Sequence, residues 1–169
     1  TDAASNIGIG YRALRDTTAT AARNVAIGNQ VAYDGELTGK DNIIIGTDAA
    51  ANATSLHSNV IIGDSAANVG VVTGKNNLVL GVSSSAILTS GKDNIVVGSL
   101  AGNLVTTNTK NIIVGSGSSA AAGLDNAYAI GTQATVNQAN SMVLGGQTGE
   151  RFRIGMGGIT KPNATLEVS

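Results

Sequence analysis

Cysteine is absent from the 169 residues, which removes disulfides, thiolate metal sites and cysteine nucleophiles together and leaves the redox compartment open. Aromatic residues make up only 2% of the chain, against 42% apolar residues that are nearly all Ile, Val, Leu and Ala. Large aromatic side chains normally fill wide cores, so this composition predicts a thin core whose layers repeat along one direction. Charge is scarce too, at 12% of residues with a formal net charge of −1. Such a chain has no basic field to neutralise phosphates and no polybasic segment for an anionic membrane, so nucleic acid is not an expected partner. No apolar run approaches the roughly 20 residues that a membrane-spanning helix needs, and the polar opening from Thr1 to Asn6 does not resemble a secretory signal. Asn6 already opens a unit of the pattern described next, as expected for a segment of a longer protein.

What is present is a repeat. Asn6-Ile-Gly-Ile-Gly10 returns as Asn24-Val-Ala-Ile-Gly28, Asn42-Ile-Ile-Ile-Gly46, Asn59-Val-Ile-Ile-Gly63, Asn77-Leu-Val-Leu-Gly81, Asn94-Ile-Val-Val-Gly98 and Asn111-Ile-Ile-Val-Gly115. Two further copies end at Gly131 and Gly145, and successive motif glycines lie 18, 18, 17, 18, 17, 17, 16 and 14 residues apart. That period is too short for a pair of helices and predicts one small coil per unit. Within each unit a turn, often Gly-Lys-Asp or Gly-Lys-Asn, precedes the asparagine, and a small residue such as Ala49, Ala66 or Ser84 follows three positions after the glycine. The β-branched triplet reads as a strand and the segment after the glycine as a second short strand or arm. About nine such rungs, stacked at about 4.8 Å, predict an all-β parallel β-roll or β-solenoid roughly 40 Å long.

The glycines that close the triplets (Gly46, Gly63, Gly81, Gly98, Gly115) are expected at corners that need positive φ or close backbone approach. The asparagines that open them (Asn42, Asn59, Asn77, Asn94, Asn111) are expected to bond their own turns or to align in a side-chain ladder. Alternation along the strand suggests that the first and third triplet residues line the core. The middle residues Ile44, Ile61, Val79, Val96 and Ile113 would then form an outward apolar stripe, predicted to be covered by other chains under closed rotational symmetry, with loops of the same chain as the alternative cover.

The short copies Asn126-Ala-Tyr-Ala-Ile-Gly131 and Asn140-Ser-Met-Val-Leu-Gly145 resemble the head repeats of YadA-like trimeric autotransporter adhesins. The longer units are similar to repeats of phage tail fibres, and both resemblances imply a homotrimeric β-roll fibre. Ile154-Gly-Met-Gly157, followed by Pro162, Ala164, Leu166 and Val168, resembles the segment just upstream of the endosialidase-type intramolecular chaperone of phage tail fibres and spikes. Met156 and Ile159-Thr-Lys161 depart from that pattern. The expected organisation is a repeat roll over 1–149 and a C-terminal cap or neck over 150–169, with a chaperone as a possible partner beyond the chain.

The one histidine, His57, lies in a turn without a second nitrogen or sulfur ligand nearby, and the carboxylates are scattered singly. No catalytic residue, metal site or cofactor is therefore expected. Lys40, Lys75, Lys92 and Lys110 are expected to share one solvated corner of the roll. The resemblance implies a structural and host-attachment segment of a virion tail fibre, facing a glycan or outer-membrane receptor. The alternative is the head of a bacterial surface adhesin that binds host matrix, and a third reading, from the threonine clusters, is an ice-binding solenoid.

Overall fold

The computed structural model describes residues 5–146 apart from 19, 36, 70–71 and 86–88; the expected cap or neck over 150–169 lies outside them. Seven three-residue strands come first: β1 (Ile7–Ile9), β2 (Val25–Ile27), β3 (Ile43–Ile45), β4 (Val60–Ile62), β5 (Leu78–Leu80), β6 (Ile95–Val97) and β7 (Ile112–Val114). β8 (Ser119–Ala120), β9 (Ala127–Ile130), β10 (Thr135–Val136) and β11 (Ser141–Leu144) follow. Nine of them form one parallel sheet in the order β1-β2-β3-β4-β5-β6-β7-β9-β11. Each rung pairs in register with the next, for example Ile44 with Ile61 and Ile61 with Val79. The protein is thus a parallel β-solenoid of about eight turns, and each motif of the sequence is one rung.

The orientation of the triplet is the reverse of the sequence expectation. The middle residues Ile44, Ile61, Val79 and Ile113 are fully buried and Val96 is 1% exposed, all inside the core of a single chain. The first and third residues face out, as Ile43 and Ile62 illustrate at 41% and 36% exposure. The opening asparagine explains the parity. It is buried, and it stands two residues before the middle position, so both point to the same face of the pleat. A further cue is size, because the middle position is Gly8, Ala26 and Ala129 in other rungs, as a narrow interior requires.

The second arm also differs from expectation. Only β8 and β10 pair as a second, two-stranded sheet. In the other rungs the segment after the glycine is a turn with left-handed residues two and four positions on, such as Asp48 and Ala50 or Ser65 and Ala67. This turn carries the small side chains Val31, Ala49, Ala66 and Ala101 into the core. Opposite the strands, Leu37, Leu56, Val72 and Val105 close the interior. Leu100 holds a left-handed φ of 57° while half exposed, at the place where the next rung has Gly117. Leu100→Gly therefore removes a penalty of about 1 kcal/mol, and the expected result is a thermal midpoint raised by a few degrees.

Candidate functional site

The buried asparagines form a ladder. From Asn6 to Asn77 the side-chain oxygen of each ladder asparagine accepts both the backbone N–H and the amide N–H of the next, as Asn59 does from Asn77 at 2.9 and 3.0 Å, and Asn94 accepts the backbone N–H of Asn111. The second amide proton goes to a carbonyl of the facing wall, from Asn77 to Gly91 at 2.9 Å and from Asn42 to Leu56 at 2.8 Å. The Gly-Lys-Asp turns are explained by this wiring. Gly39, Gly74 and Gly91 supply carbonyls to Asn24, Asn59 and Asn77, while the residue just before each asparagine takes left-handed φ, as Asp41, Asn76 and Asp93 do.

Asn77→Ala would leave the buried Asn94 backbone N–H without a partner and would reduce the Gly91 carbonyl to its one remaining bond, from the Lys75 backbone N–H. The expected cost is about 3 kcal/mol, readable by denaturant unfolding.

The ladder also accounts for the altered short copies. Asn111 donates to the carbonyl of Leu124, and its oxygen accepts the backbone N–H of Ala127 at 2.7 Å. Ala127 holds the ladder position, so the buried series stops there. Asn126 and Asn140 have moved one place to the left-handed corner, where they bond each other at 3.1 Å.

The lysine corner takes shape as two adjoining columns. Lys40, His57, Lys75 and Lys92 succeed one another through parallel bridges, whereas Lys110 stands in the left-handed column with Asp41 and Asp93. The His57 ring Nδ1 lies 3.0 Å from the Ser55 carbonyl. Beside them the Arg23 guanidinium grips Asp41 at 2.6 Å and holds its carboxyl below the usual range. A depressed carboxylate stabilises the fold above its unfolded-state pKa, and that contribution is lost as pH falls through the lower folded value. Both groups are about half exposed, so solvent and salt screen the pair. Asp41→Asn is expected to leave the thermal midpoint at neutral pH unchanged within error at high ionic strength.

The surface of greatest extent is the outer side of the long sheet. Since Ile44, Ile61, Val79, Val96 and Ile113 are sealed inside one chain, they are unavailable to a neighbour. The outward columns are instead formed by the first and third residues of every triplet, from Ile7 and Ile9 through Ile43 and Ile45 to Ile112 and Val114. Tyr128 and Ile130, then Met142 and Leu144, continue them. This face is roughly 40 Å tall and about 10 Å wide. No charged residue interrupts it.

Among the described residues no helix is long and apolar enough to cross a membrane, and no group of three or more His, Cys, Asp or Glu could hold a metal ion. The fold defines the class, a parallel β-solenoid with an internal asparagine ladder. No known protein family matches the chain, and no characterised protein does.

Proposed function

We propose that the chain is a structural and receptor-binding segment of a trimeric phage tail fibre, with no enzymatic activity of its own. The observation that carries this reading is the uninterrupted apolar face of the sheet. An aliphatic band of this size, roughly 400 Å², matches the largest apolar patches that soluble monomers expose, and patches of that size commonly mark an interaction site. Because it is equivalent in every rung, a second and third copy cover it economically under closed rotational symmetry. A bundle of three solenoids is a stiff rod, with loops and corners left to meet a host-cell glycan or outer-membrane component. The repeat grammar and the tail-fibre-like pattern over 153–168 favour the virion over the alternative address, a bacterial surface adhesin head.

Electron microscopy with a labelled antibody against the chain tests the address. Decoration of tail fibres on virions released from the source culture is expected. Decoration of bacterial surfaces alone would place the chain in the adhesin class.

A further inference from the structure

Two of the three tyrosines and two arginines gather in the first two rungs, in a chain otherwise almost free of aromatic residues. Arg15 and Asp16 stand five and six residues after Gly10, and Tyr33 and Asp34 stand at the same two places after Gly28. Stacking of the rungs therefore sets one pair over the other. The Arg15 guanidinium lies 4.0 Å from the centre of the Tyr33 ring and donates to its hydroxyl at 2.7 Å. Arg12 donates to the same hydroxyl at 3.0 Å and lies 4.9 Å from the ring centre of Tyr11, which is 62% exposed. Asp16 grips Arg15, and Asp34 is 3.8 Å from it. An open cleft of about 600 Å³ is lined by Arg15, Asp16, Thr17, Thr18 and Asp34.

Stability does not explain this cluster. Its ion pairs are exposed, and pairs of that kind contribute little, while holding arginine side chains in one geometry costs rotamer entropy. What the cluster offers is a fixed set of donors and acceptors beside aromatic rings. The charges of Arg12 and Arg15 cancel those of Asp16 and Asp34, so no net field favours an ion, and an anion would meet two carboxylates. A polyhydroxylated neutral ligand fits every group. Its hydroxyls donate to Asp16 and Asp34 and accept from Arg15, three of the groups that line the cleft. The cluster also lies on the loop wall, so it stays open when the strand face is covered.

We propose that this cleft binds a neutral pyranose sugar, held by the carboxylates of Asp16 and Asp34 and the guanidinium of Arg15. The inference rests, for its biological role, on the receptor-binding reading above.

Saturation-transfer NMR on the purified protein tests it, with methyl pyranosides of the common neutral hexoses and deoxyhexoses, N-acetylneuraminic acid as the anionic probe, and Asp64→Ala as a distant control. Transfer to at least one neutral pyranoside is expected, unchanged in Asp64→Ala and reduced about tenfold or more in Asp34→Ala and Arg15→Ala, with circular dichroism showing all variants folded. Absence of transfer from every neutral sugar overturns the proposal, as does equal transfer to the acid or transfer that both cleft variants retain. Attachment to a panel of intact Gram-negative strains separates the two readings. Attachment that survives Asp34→Ala and Arg15→Ala sinks the sugar site as the receptor contact and leaves receptor binding standing. Sugar transfer without attachment to any strain leaves the site standing and removes the receptor reading.

Discussion

Gly98→Ala breaks the solenoid at the junction of its sixth and seventh rungs. Gly98 has φ of +135°, and a Cβ added there would lie 2.6 Å from the carbonyl oxygen of Gly115. The conformation alone costs a residue with a side chain about 1–3 kcal/mol. The clash cannot relax cheaply, because the obstacle is backbone, and Gly115 is tied to the Val97 carbonyl by a 2.8 Å hydrogen bond. The two effects together amount to several kcal/mol, a large part of the roughly 5–15 kcal/mol that holds a domain together. In a solenoid the loss falls first on neighbouring rungs, so hydrogen exchange should show protection collapsing around β6 and β7 before the ends. Gly123→Ala is the comparison. Its φ is +75° and nothing lies within 4 Å of the added Cβ, so a cost near 1 kcal/mol is expected.

Ile61→Asp and Ile62→Asp should give opposite phenotypes although the two residues are adjacent. Ile61 is fully buried between Ile44 and Val79. A carboxylate there has no partner, and the expected loss is about 4 kcal/mol or more, seen as loss of β signal in circular dichroism. Ile62 is 36% exposed on the outer face. Its aspartate variant keeps the fold and weakens association between chains. If both variants unfolded alike, or if Ile61→Asp stayed folded while Ile62→Asp did not, the assignment of faces would be wrong.

That contrast marks where the sequence was ambiguous. The repeat, the nine main strands and their stacking order were legible from the spacing of Asn and Gly, because each rung carries the same turn chemistry. Parity was not legible from the triplet, since Ile43, Ile44 and Ile45 are all apolar and show no alternation to read. The deciding signal lay outside the triplet, in an asparagine that is buried and must share a face with the middle residue. The second arm was misread because a small residue between polar ones suits a short strand and a left-handed turn equally. Asp48, Ser65 and Ser83 take positive φ, and all are residue types common in strandless turns. The Arg15 and Tyr33 cluster escaped for another reason: a search for periodicity passes over a feature confined to two rungs.

Self-association through the outer face is the claim on which the functional reading stands, and the mass of the assembly in solution tests it most directly. Light scattering should give three times the 16.7 kDa of one chain, and the Ile62→Asp, Ile95→Asp double variant should give the mass of a single folded chain. A wild-type protein that stays at 16.7 kDa across the concentration range, or a double variant that keeps the full assembly, would contradict the account.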